Sequence, residues 1–132
     1  MNHTTYIKKK GWNMEKNIFS YKKIKLELYH PWTIARGTAA FKENIIVTLS
    51  REGIDGYGEA SHMTSAGQTP EKSIEDIKKI IPSLINKNPN YYTELIMELH
   101  SNFPGFSPGK TALEMSIMDW YCKKNNLPLY KL

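Results

Sequence analysis

Four histidines, His3, His30, His62 and His100, carry the most versatile side chains of this 132-residue sequence. None lies near another, so a metal centre would require them to converge with carboxylates in the fold. His62 directly follows Ser61, a nucleophile and a base by type, but no third residue is at hand to orient them. Glu59, after Gly58, could move a proton if buried; at the end of a strand it is better read as the partner of a backbone group or a lysine. "GYGEAS" has neither the spacing nor the strand-to-helix setting of a phosphate-cradling glycine loop. The remaining feature is Arg36, in "HPWTIARGT", set among Trp32, Ile34 and Gly37 just before a clear strand. A planar guanidinium on a loop suits a two-pronged grip on a carboxylate. By its residues alone, an exposed arginine is the plainer reading.

Composition narrows the partners. The net charge is +5, but residues 1–25 hold seven lysines against Glu15, whereas residues 26–132 hold eleven basic and twelve acidic residues. The body therefore has no basic excess with which to follow a phosphate backbone, and nucleic acid is disfavoured as a partner. A single cysteine, Cys122, excludes a disulfide framework and points to a reducing, cytoplasmic compartment. No apolar run approaches the ~20 residues a membrane helix needs, and no signal-peptide core follows the basic start.

The elements that must position these residues read in order. Residues 1–20 look like a flexible basic tail, with Met14 as an alternative start, and 21–132 like one domain. "KKIKLELYH" alternates Ile24, Leu26 and Leu28 against polar neighbours, which predicts a strand with those three inward. "ENIIVTLS" predicts a second strand with Ile45, Val47 and Leu49 on one face. "REGIDG" supplies two glycines and an aspartate for a reversal, and "YGEAS" a third short strand. The period then changes. "QTPEKSIEDIKKIIPSL" has Thr69 as N-cap, Pro70 in the first turn, and Ile74, Ile77, Ile81 and Leu84 along one face, with Pro82 expected to end or kink the helix. "NYYTELIMELH" predicts a second helix with Tyr92, Leu95, Ile96 and Leu99 inward. A third starts at Ser107 and Pro108 and carries Leu113, Ile117 and Tyr121, with Met118 and Trp120 beside them. A three-stranded antiparallel meander followed by about three helices, with no βαβ crossover, is an α+β fold with its helices on one side of the sheet.

In that order, "PWTIARGT", "NIIVTLSREGIDGYGEAS", "GQTPEKSIEDI" and "ALEMSIMDWYCKKNNLPLYKL" resemble the N-terminal capping domain of the enolase superfamily, in its muconate-lactonizing subgroup. "IARGT" tilts the resemblance toward the dipeptide epimerases, such as the L-Ala-D/L-Glu epimerases. It covers about residues 22–132. The resemblance implies a cap whose two loops, here about Pro31–Phe41 and Ser61–Thr69, close over a C-terminal (β/α)-barrel. That barrel would hold the lysine bases and the carboxylates for Mg²⁺. On this reading Arg36 binds a carboxylate of a dipeptide-like substrate, Trp32 and Ile34 exclude water, and Thr38, His62 and Met63 are further substrate-binding candidates. Packing for Trp32 and Met63, and a local backbone role for Thr38, stand beside those assignments.

The sequence ends at "LPLYKL", where such a barrel would begin. The expectation is therefore a chain without catalytic residues, metal ligands or cofactor of its own, inactive alone, with Mg²⁺ belonging to the full-length family member. Faces that would meet a barrel predict self-association or poor solubility. The alternatives are a freestanding binding module, or the cap of a muconate cycloisomerase or o-succinylbenzoate synthase-like enzyme.

Overall fold

The computed structural model describes residues 16–34 and 37–132, and backbone alone over 30–34 and 37–40. Three antiparallel strands, β1 (Ile18–Ile34), β2 (Gly37–Arg51) and β3 (Ile54–Ala60), form a sheet in the order β1-β2-β3. Three helices follow: α1 (Pro70–Leu84), α2 (Tyr92–Asn102) and α3 (Pro108–Lys124). This is the expected α+β arrangement.

The central strand organises the core. Ile45, Val47 and Leu49 are fully buried, as their alternation predicts, beneath Ile77, Ile80 and Leu84 of α1 and Leu113, Ile117 and Trp120 of α3. β2 turns into β3 at Glu52 and Gly53, both with positive φ, the mirror-image two-residue turn that matches the twist of a hairpin. Gly56, expected to help make that reversal, instead lies within β3. With Gly58 it faces α3, where any Cβ would run into the helix backbone at Ser116 and Trp120, or at Ala112. Two glycines two residues apart thus give the strand a bare face on which the helix rests directly.

The inward face of β1 differs from expectation. Opposite residues of an antiparallel pair share a face, and Leu49 pairs with Phe19, Val47 with Tyr21, Ile45 with Lys23. Phe19 and Tyr21 therefore pack on the core, while Ile24, Leu26 and Leu28 belong to the sheet's other face, where Leu26 is 41% exposed. Alternation reveals that a strand has two unlike faces, but not which one the helices cover. The tail boundary also moves. Asn17 is buried, and its amide donates to the carbonyls of Leu84 (2.7 Å) and Lys87 (2.7 Å) at the end of α1. Its Oδ1 accepts from Arg51 Nη1 at 3.1 Å. Residues 16–20 thus belong to the fold, and Asn17 supplies donors to carbonyls that a helix end leaves unpaired.

Both predicted N-caps form: Thr69 Oγ1 accepts from the Lys72 N–H and Ser107 Oγ from the Lys110 N–H. Pro82 sits inside α1 without ending it, since the helix runs on to Leu84. Leu95 and Leu99 are buried, and Tyr92 packs alongside them, whereas Ile96 stays outside the core. Trp120 is fully buried and Tyr121 only partly, so the face of α3 turned to the sheet is set by Ala112, Ser116 and Trp120.

Between α2 and α3, Glu114 Oε1 lies 3.0 Å from His100 Nε2 but makes no hydrogen bond. Burial pushes its carboxyl above the usual range, against the opposing pull of His100 and Lys110. A carboxylate whose folded pKa is raised gives its full contribution below the unfolded pKa and loses it as pH rises through the folded value. In urea titrations, the stability of Glu114→Gln relative to the wild type should therefore grow as pH rises from about 4, the ordinary glutamate range, toward neutrality. A difference that is flat with pH, or shrinks, contradicts this.

Candidate functional site

Two segments meet at one end of the sheet. β3 stops at Ala60, opposite Ile45, while β1 and β2 run on as a two-stranded ribbon to the Ile34–Gly37 pair. The stretch of β2 from Gly37 to Asn44 carries that ribbon roughly 25 Å beyond β3 at the usual rise per residue. The segment expected as a loop, Pro31–Phe41, is thus largely paired: Trp32 with Ala39, Thr33 with Thr38, Ile34 with Gly37. The ladder satisfies backbone groups that an open loop would leave to water. A register shift between Glu27 and Trp32 interrupts it, and Pro31, which has no N–H to give a ladder, falls inside that irregularity.

At the root of the ribbon lies the second segment, residues 61–69, between β3 and α1. His62, 8% exposed, sits between two elements. Its Nδ1 is 3.3 Å from the Glu43 carbonyl oxygen on β2, and its Nε2 is 2.8 Å from Ser73 Oγ on α1. A carbonyl can only accept, so Nδ1 carries the proton and Nε2 accepts from the Ser73 hydroxyl. Lys23 of β1 adds an exposed clamp beside it, 3.2 Å from Glu71 and 3.8 Å from Glu43. The Glu71 carboxyl is held below its usual range, first by its own backbone N–H in the opening turn of α1 and then by Lys23; the hydrogen bond to Glu71 in turn raises Lys23.

Beyond His62 the segment closes on itself. The Met63 N–H donates to Gln68 Oε1 (2.8 Å), the Ala66 N–H to the Met63 carbonyl (3.0 Å) and the Gly67 N–H to the Thr64 carbonyl (3.0 Å). Gly67 takes φ +74° to make that turn. Met63 stands out from it, 63% exposed.

Of the residues singled out in the sequence, His62 and Met63 come together here. Trp32, Ile34 and Thr38 are placed in the ribbon by their backbone, and Arg36 lies outside the described residues. Ser61 does not partner His62; Ser73 does. Its signal was a polar residue on the apolar face of α1, in line with Ile77, Ile80 and Leu84. Glu59 is exposed, and its Oε2 accepts from the Asn44 amide at 2.6 Å rather than from a backbone group or a lysine. Among the described residues no group of three His, Cys, Asp or Glu side chains could hold a metal ion, and no helix is long and apolar enough to cross a membrane.

Residues 20–132 match the family model of the mandelate racemase / muconate lactonizing enzyme, N-terminal domain. The chain belongs to this family. Its N-terminal-domain sequence is 34% identical over 117 residues to an L-Ala-D/L-amino acid epimerase of Maribacter sp., a match that covers 86% of this chain and 33% of that protein. It is 29% identical over 113 residues to a hydrophobic dipeptide epimerase of Citrifermentans bemidjiense, covering 83% and 30%. Among solved structures, the dipeptide epimerase from Enterococcus faecalis V583 complexed with Mg and the dipeptide L-Leu-L-Tyr is similar with a TM-score of 0.78 and 27% identity, over 89% of this chain and 34% of that one. This member of the mandelate racemase / muconate lactonizing enzyme family therefore spans about a third of the length of the relatives it matches.

Proposed function

We propose that this domain caps the substrate site of a Mg²⁺-dependent dipeptide epimerase. The observation that carries the reading is the convergence of the β1–β2 ribbon and residues 61–69 at one end of the sheet, in a chain whose relatives include dipeptide epimerases. Both segments leave the sheet on the same side of the helix layer's end, as a lid over a small molecule requires. Arg36, beside Gly37 near the ribbon's tip, grips a substrate carboxylate. Trp32, Ile34 and Thr38 line the ribbon's contribution, and Met63 adds an apolar contact from the second segment. His62 serves from behind, as a buried support.

The described residues do not fit Mg²⁺. On this reading the metal ligands and the bases that remove and return the α-proton belong to a (β/α)-barrel, the partner domain that makes up the remaining two-thirds of such proteins. This domain's own part is to bind, orient and exclude water.

The test is a chimera in which residues 20–132 replace the matching segment of the Maribacter epimerase. Its Mg²⁺-dependent exchange of the α-proton is followed in D₂O on Ala-Glu and on apolar dipeptides. Retained exchange supports the reading. Arg36→Ala should then lower kcat/KM about 10- to 100-fold, the cost of a charge-assisted hydrogen bond, and Met63→Ala about fivefold on apolar dipeptides. A folded chimera without exchange, or one indifferent to Arg36, rejects it.

A further inference from the structure

We infer that residues 61–69 are a pre-set wall rather than a gate, and that His62 is the positioning residue that sets it. The inference rests on the proposal that this segment borders a substrate site, and names how its position is held.

Three observations converge. First, the segment's start is pinned where its end re-enters the fold: His62 reaches Ser73, which is 1% exposed in the first turns of α1, only four residues past the Thr69 cap. The two ends of the segment are thus tied by side chains, and the loop is short and closed. Second, the same ring reaches the ribbon through the Glu43 carbonyl at 3.3 Å. One imidazole therefore fixes the spacing between the two segments proposed to flank the substrate. Third, the tip needs no partner to become ordered, since the N–H groups of Met63, Ala66 and Gly67 are all bonded within it, as is that of Gln68, which donates to the Met63 carbonyl at 3.3 Å. Of the tip's apolar side chains, the long one turned outward is Met63. A side chain held this way meets a ligand at little entropic cost, the benefit of preorganisation. It also fixes the depth of any pocket that it borders.

Because His62 Nε2 accepts from a hydroxyl and Nδ1 donates to a carbonyl, the ring performs two different tasks with one geometry. Leu at position 62 performs neither. Gln can take the place of Nε2 toward Ser73, but its single amide cannot reach both partners. Ala at position 73 removes only the hydroxyl.

The experiment is amide hydrogen exchange on the chain itself, with no substrate present. In the wild type, the N–H groups of Ala66, Gly67 and Gln68 should be protected. Ser73→Ala and His62→Leu should each speed their exchange about tenfold or more, while the amides of Val47, Leu49 and Ile117 keep their rates. Both changes together should add little to the larger one, because they remove the same contact, and His62→Gln should fall between. If His62→Leu does not fold, Ser73→Ala decides by itself. Loop amides that exchange at unprotected rates in the wild type, or loop and core amides that accelerate together, overturn the inference. Since no substrate enters, failure here leaves the capping proposal to its chimera test, and an inactive chimera leaves the exchange result standing.

Discussion

Gly58→Ala should leave the domain largely unfolded. The added methyl group would fall on the backbone carbonyl of Ala112, and a helix backbone has no rotamer with which to move aside. Relief requires lifting α3 from the sheet along the length where Ala112, Ser116 and Trp120 face β3. The expected loss is about 4 kcal/mol or more, at the severe end for a single substitution, against the roughly 5–15 kcal/mol that a whole domain commonly has. Gly67→Ala is the informative contrast: it also breaks a glycine's conformation, φ +74°, but its Cβ would meet open space. That change should cost only about 1 kcal/mol. Urea titrations followed by far-UV circular dichroism separate the two. A midpoint for Gly58→Ala no lower than that for Gly67→Ala would mean that α3 is not seated on β3 as described.

Trp120→Ala should be nearly as damaging, at about 3–5 kcal/mol. The indole is fully buried and touches the bare face of β3, and its Nε1 donates to the Arg51 carbonyl at 3.0 Å. Removing it opens a cavity between helix and sheet and leaves that carbonyl without its partner. Trp120→Phe keeps most of the volume and loses only the hydrogen bond, so its cost should lie near 1–2 kcal/mol. The order wild type, Phe, Ala in denaturation midpoint is the expected result. Equal midpoints for Phe and wild type would remove the hydrogen bond from the account, and a mild Ala variant would remove the packing.

These predictions rest on features that differ in how openly the sequence displays them. Element order, the buried face of β2 and both helix N-caps follow from local spacing, and the resemblance to enolase-type caps was carried by motifs within those elements. What local spacing could not supply were relations between distant segments. The face of β1 turned to the helices depends on which side of the sheet the helices lie, a choice on which alternation is silent. Gly56 looks like a turn residue until α3, more than fifty positions later, is seen to rest on it. Asn17 looks like tail until the carbonyls of α1 appear beside it. At the candidate site the limitation is similar. His62 was picked out as a substrate contact because of its type and place, but its partner Ser73 was legible only as a serine among isoleucines. The pairing of Trp32 to Gly37 into a ribbon was hidden by Pro31, which suggests an open loop unless a register shift is known to accommodate it.

The way α3 meets the sheet also bears on the fate of this chain at high concentration. Any open sheet presents two rims of unpaired amides, and each invites a stray strand from a neighbour. On the β3 rim that invitation is withdrawn by the helix: Asp119 takes the Tyr57 N–H at 2.8 Å and Lys123 takes the Asp55 carbonyl at 2.8 Å. The β1 rim carries Lys22, Lys23 and Lys25, whose like charges would be brought together in any strand-to-strand pairing of two copies. One side is bolted and the other electrified, so the sheet is guarded against the end-to-end growth that leads to fibrils, and Asp119 and Lys123 guard it as much as they brace it.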